Sequence, residues 1–239
     1  MTIEVLYPEL CNLYGDSANV RYLKACVPEA EIVYTDNRSK PRFVTGRVDL
    51  IYLGSMSEPS QILAANRLLP YAERLGEVIR GGTPVLCTGN AVELLGLYIE
   101  DADGHTEDML GLYQFYAKRD MDRRHNSMFL GDFGQIPIVG AKSQFSFLHG
   151  RFPGDFIRVR GGYGNNPEDK AEGFRDHNLF ATYLLGPFLV LNPLFTKYLL
   201  NLLGVDRSLA FEKETMEAFT FRKEHLEEPG VKFLMGEHG

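Results

Sequence analysis

Gly82-Thr83-Pro84-Val85-Leu86-Cys87-Thr88-Gly89-Asn90-Ala91-Val92-Glu93-Leu94-Leu95-Gly96 decides the fold. Val85 to Thr88 is a short, mostly apolar run released by the Gly81-Gly82-Thr83-Pro84 turn and stopped by glycine, the form of a fully buried strand. Upstream, Val48-Asp49-Leu50-Ile51-Tyr52-Leu53-Gly54 has the same form. The spacing between them predicts helices from Ser60 to Tyr71 and on to Arg80. Strand, crossover helix and strand in that rhythm require a parallel sheet covered on both faces.

Working outward, Ile3 to Tyr7 predicts a first strand, Pro8 to Asp16 a loop, and Ser17 to Ala25 a helix that Ser17 caps. Glu31 to Thr35 reads as a strand and Arg38 to Arg47 as a connecting loop. The pattern is strand-rich from Leu110 to Ile157, and one more strand and helix fit between Leu179 and Leu203. The charged stretch after Gly204 predicts a short helix followed by fraying. The expected architecture is α/β, a three-layer sandwich with a mostly parallel central sheet. It forms a single domain over residues 1–239, with 205–239 a weakly patterned tail.

Composition narrows the function classes. With 44% hydrophobic residues the 239-residue chain has enough apolar mass for a substantial core. The net charge of -7, with acids and bases intermixed, excludes the concentrated basic face that nucleic acid requires. Met1 to Tyr7 has no basic-then-apolar signal pattern, and the richest apolar stretch, Phe180 to Leu191, is broken by Gly186 and Pro187. No membrane association is expected. Cys11, Cys26 and Cys87 are odd in number and lack CxxC or His-paired spacing, which predicts a reducing cytoplasm, no disulfides, no metal and no cofactor.

In an open α/β sheet ligands bind beyond the carboxyl ends of the strands, so the turn after Thr88 is where chemistry is expected. Strand, turn and closing Leu95-Gly96 resemble the nucleophile elbow of class I glutamine amidotransferases of the cobyric-acid-synthase type, a flavodoxin-like fold. Other stretches are similar to the glutaminase subunit of lipid II isoglutaminyl synthase. These are Leu6-Tyr7-Pro8-Glu9 with Asn12-Leu13-Tyr14-Gly15-Asp16 and Asn19, Asp103-Gly104 and Leu110-Gly111, Gly162-Tyr163-Gly164-Asn165-Asn166, and Thr182-Tyr183-Leu184-Leu185-Gly186-Pro187. They run in family order from about residue 4 to 203. The resemblance implies a Mur-ligase-like, ATP-dependent synthetase as partner, acting on a peptidoglycan precursor, and a small amino-acid-like ligand. It places ligand-binding positions at Gly54, Gln61, Asn90 and Arg123, or its neighbour Arg124.

Glutamine hydrolysis needs a thiolate nucleophile, an imidazole to move protons, and backbone N–H groups for the oxyanion. The family's cysteine position is Gly89, which has no side chain, and its histidine position is Leu185, which moves no proton. Glu93 stands where the elbow has glutamine, Gly54-Ser55-Met56-Ser57 where the family has a glycine-rich loop, and Ser143-Gln144 where it has Asn-His. The expectation is a noncatalytic amidotransferase-like subunit with no intact catalytic residue. Two rivals stay open: a working or partner-activated glutaminase using Cys87, and a repurposed pocket using Glu93 as acid or base. Against the first, strand alternation sets Cys87 two residues below the turn, as a core thiol. The histidines that remain for it, His149 and His177, read as loop residues.

Overall fold

The structure, a computed structural model, describes residues 1–235. Its first half alternates strand and helix: β1 (Thr2–Leu6), α1 (Ser17–Cys26), β2 (Glu31–Thr35), α2 (Arg42–Thr45), β3 (Leu50–Leu53), α3 (Glu58–Leu68), α4 (Ala72–Arg80) and β4 (Val85–Thr88). Ser57 caps α3 by accepting from the Ser60 N–H, and Pro59 sits in its first turn, where the missing donor is not needed. The expected loop from Arg38 to Arg47 contains one helical turn, α2. Its N-terminal N–H groups, Arg42 N and Phe43 N, donate to the buried Glu4 carboxylate at 2.5 and 2.8 Å. A cap supplied from another strand leaves no local sequence signal.

Strands dominate the second half: β5 (Tyr98–Asp101), β6 (Thr106–Asp108), β7 (Phe115–Arg119), β8 (His125–Phe133), β9 (Ile136–Gln144), β10 (Ser146–Gly150), β11 (Asp155–Gly161), β12 (Ala171–Asp176) and β13 (Leu179–Thr182). Helices α5 (Phe188–Leu191), α6 (Pro193–Leu202) and α7 (Glu212–Glu227) follow. Nine strands form one sheet in the order β2-β1-β3-β4-β13-β12-β11-β8-β9, and four form a second, β10-β7-β5-β6. The large sheet is parallel from β2 to β13 and antiparallel from there to β9. The α/β class and its parallel core are as expected, and an antiparallel extension continues them.

Alternation along β4 sends Val85 and Cys87 into one core, with Ala64, Leu68 and Ile79 of the α3–α4 layer. Leu86 points the other way, into a core with Leu23 of α1 and Phe195 and Leu199 of α6. These are the two helical layers that a central sheet buried on both sides needs. No helix among the described residues is long and apolar enough to cross a membrane.

The antiparallel extension curls back on itself. Lys142 of β9 reaches Glu172 of β12, with two strands between them in sheet order, at 3.2 Å, and both side chains are completely buried. Lys142 Nζ also donates to Gly164 O at 2.8 Å, while Glu172 accepts from Thr182 Oγ1 at 2.6 Å and Tyr183 N at 2.9 Å. Burial lowers the Lys142 pKa and Glu172 opposes the shift. In the Gly161 to Asn166 run, Gly161 closes β11 and the chain then bends back toward β12. Asn165 is fully buried, accepts from Gly173 N and donates to Asp169 Oδ2.

Strand β9 ends the sheet, yet its outer margin is capped. The Asn192 side chain accepts from Val139 N at 2.8 Å and donates to Val139 O at 2.9 Å, and Leu185 N donates to Ala141 O at 3.0 Å. Pro137, two residues earlier on the same side of the backbone, has no N–H to offer.

The tail carries more structure than its sequence predicts. The short helix expected after Gly204 is the 16-residue α7, held by a narrow stripe of buried Thr215, Phe219 and Leu226. Beyond it, Phe233 O accepts from Met128 N, and Met235 N donates to Asn126 O. Any fraying at residues 236–239 lies outside the described residues.

Breaking the buried pair from one side leaves a stranded charge. Lys142→Ala is expected to lower unfolding free energy by about 3–5 kcal/mol. Replacing both partners, Lys142→Met with Glu172→Gln, is expected to recover much of it in urea denaturation.

Candidate functional site

The carboxyl ends of β3, β4 and β13 converge on one cleft, as the parallel order of these strands requires. Ser55, Met56, Gln61, Asn90, Gln144 and Leu185 line it, and Tyr14, Arg124 and Phe145 stand at its rim. At its base, β4 passes into Gly89, which opens a 3₁₀ turn (Gly89–Leu95) at φ +60°. Only glycine takes that conformation without strain. A Cβ placed there would also run into the Cβ of Ser55.

Ser55 is held where it is. Its N–H donates to Asp16 Oδ2 and its Oγ to Leu13 O at 2.9 Å. Asp16 is fully buried and also accepts from Thr88 Oγ1 at 3.1 Å. Burial pushes its pKa up, and the Ser55 and Thr88 hydrogen bonds pull against that. The next loop residue is clamped from the elbow, where the Asn90 amide accepts from Met56 N at 3.0 Å and donates to Met56 O at 2.9 Å. The N–H groups of Ser55 and Met56 are therefore both engaged by side chains of the chain itself.

Cys87 is 1% exposed and sits in the core under α3, below the turn. Burial pushes its thiol up to about 12, and its Sγ makes no hydrogen bond among the described residues. His149 lies within β10, not in a loop, with its ring 5.7 Å from that of Tyr116. His177 occupies the turn between β12 and β13 and bonds Asp176 Oδ1 at 2.8 Å. Leu185 faces the cleft with no polar atom on its side chain.

Glu93 is 1% exposed, and its carboxylate meets three internal donors: Gln61 Nε2 at 2.9 Å, Ser146 Oγ at 2.7 Å and the Tyr183 hydroxyl at 2.8 Å. Behind Gln61 lies Arg119, whose guanidinium pairs with Asp101 at 2.7 Å. Burial raises the Glu93 pKa, opposed by the three hydrogen bonds and by Arg119. The carboxyl group is thus built into the cleft wall, with its hydrogen bonds met from inside the fold.

Two of the expected ligand-binding positions need correction. The side chain of Arg123 is 87% exposed and leans on Asp120 at 3.7 Å, whereas Arg124 lines the cleft with its guanidinium 4.5 Å over the Phe145 ring. Adjacent residues on a turn point to opposite sides, and a single sequence cannot rank them. Gly54 packs beneath the Cys11 carbonyl and Asp16, so it supports the cleft from below without lining it. Gln61 and Asn90 do line it, each already bonded internally. The sequence pattern assigns no role to Ser55, Asp16, Ser146, Tyr183 or Arg119. Asp16 and Tyr183 stood inside motifs that signalled the family, whereas Ser146 and Arg119 carried no signal.

Residues 2–193 match the family model for the CobB/CobQ-like glutamine amidotransferase domain. The chain is 29% identical, over 219 residues covering 91% of it and 90% of the relative, to "Lipid II isoglutaminyl synthase (glutamine-hydrolyzing) subunit GatD" of Staphylococcus aureus (strain N315). It is 27% identical to the protein of that name from Streptococcus pneumoniae (strain ATCC BAA-255 / R6), over 80% of this chain and 76% of the relative. A solved structure described as a glutamine amidotransferase superposes with a TM-score of 0.56 at 14% identity, covering 85% of this chain and 99% of that one, a likeness of fold.

The buried carboxylate makes a pH prediction. Because the folded pKa of Glu93 lies above its ordinary value of 4.5, its contribution is fully present below that pH and is lost as pH rises through the folded value. The stability advantage of the wild type over Glu93→Gln should therefore shrink as pH rises above about 4.5 in paired urea titrations. An advantage that grows with pH would contradict the assignment.

Proposed function

The chain belongs to the CobB/CobQ-like glutamine amidotransferase family, and from that premise we propose that it is a noncatalytic subunit that keeps the family's fold and partner surface without its glutaminase chemistry. Its partner in this reading is a Mur-ligase-like synthetase that amidates a peptidoglycan precursor. The relatives named for lipid II isoglutaminyl synthase support that choice.

One observation carries the noncatalytic half. At the elbow, where acyl transfer needs an attacking sulfur, Gly89 has no side chain and Ser55 fills the space a Cβ would take. Supporting it, the imidazole position is Leu185 and the Ser55 and Met56 N–H groups are already bonded. The thiol two residues away, Cys87, is enclosed and held in its protonated form at neutral pH by burial. A thiolate, not a thiol, attacks an amide carbon.

Ammonia release from glutamine, measured with and without the synthetase subunit, tests the reading. The expected result is a complex that forms but releases no ammonia above background. Release that disappears in Cys87→Ala would overturn it. The steric part is testable alone. Gly89→Cys is expected to destabilise by about 1–3 kcal/mol through overlap with Ser55. Adding Ser55→Gly should return the overlap component, leaving the strain of a side chain at positive φ. Equal losses in the single and double variants would refute the steric account.

A further inference from the structure

Beside the cleft lies a groove far roomier than the cleft itself, about 610 Å³ against about 90 Å³. Its floor is Gly140 and Ala141 of β9, its near wall Pro187 and Leu191, and its far wall α7, where Phe221 stands 77% exposed. Met235, 48% exposed, closes one end. A Phe this exposed beside an apolar trough is unburied area that burial against a partner would stabilise.

Charge and position say what fits. The chain has 32 acidic and 25 basic residues, yet the charged side chain among the described residues lining this groove is Arg222, with no carboxylate beside it in the lining. Arg222 is exposed and makes no ion pair among the described residues, which marks its guanidinium as the group to meet a carboxylate brought from outside. The groove also adjoins the cleft, since Leu185 of the cleft wall donates its N–H to Ala141 O on the groove floor. That bond and the Asn192 clamp occupy Ala141 O and both backbone groups of Val139, so little of this edge is left for strand pairing and an occupant is held mainly by its side chains.

Resting on the function proposed above, we propose that this groove seats the synthetase subunit. It takes an amphipathic segment of that subunit whose apolar face covers Phe221 and whose flanking carboxylates meet Arg222. Helix-in-groove docking supplies the general physics: apolar anchors for affinity, rim charges for rate and register.

The test measures complex formation between the full chain and the synthetase subunit by calorimetry, at two salt concentrations. Phe221→Glu is expected to weaken binding about tenfold or more, and Arg222→Glu to weaken it and remove much of its salt dependence. Tyr34→Glu, at an exposed position on the distant β2 edge of the sheet, should bind as wild type does. All three positions are exposed, and equal urea midpoints would verify folding. If the wild type fails to bind the synthetase, the functional reading falls and this placement with it. If the wild type binds and the two groove variants match Tyr34→Glu, the placement alone is wrong. Self-association of the wild type that Phe221→Glu abolishes would make a second copy the occupant and overturn the assignment.

Discussion

A charge withdrawn from water has to be met by donors or by an opposite charge, and that requirement fixes how the parts of this molecule are joined. Glu93 illustrates it. Its carboxylate draws Gln61 from α3, Ser146 from β10 and Tyr183 from just beyond β13 onto one point. Asp16 does the same for the loop after β3 and the end of β4, and Glu4 anchors α2. Hydrophobic burial on both faces of β4 supplies the general drive to collapse, but it is indifferent to register. The polar knots are not, because each leaves an unpaired charge if its donors move.

The elbow is governed by a different constraint, simple occupancy. Residue 89 sits at positive φ, and the side chain of residue 55 lies directly against it. What happens at one position is therefore felt at the other, and the loop that follows β3 has settled onto a turn with nothing projecting from it. Clamping of Met56 by the Asn90 amide completes that closed arrangement, so the floor of the cleft is one packed surface of backbone and short polar groups.

Much of this was legible in the chain. Val85 to Thr88 was bounded by Gly81-Gly82-Thr83-Pro84 and Gly89, and the strand occupies those residues. Buried strands announce themselves because nearly every residue is apolar. α2 was missed because its cap comes from Glu4, across the fold. The length of α7 was missed because only three of its residues are buried, a stripe too narrow to stand out from its Glu and Lys positions. The choice between Arg123 and Arg124 depended on which way a turn faces, and the role of Ser146 on a contact across 53 residues. Local pattern encodes elements, whereas contacts between distant loops are visible only once the sheet has brought them together.

The margin of β9 has one more consequence. A nine-residue strand with its outer amides bare would be the longest template on the molecule for recruiting an extended chain, the starting point of fibrillar growth. One asparagine side chain, imitating a neighbouring peptide group, denies that template its central pairing site, and a proline removes another donor along the same edge. The sheet's remaining margin, β2, offers five residues, so resistance to misassembly rests largely on Asn192.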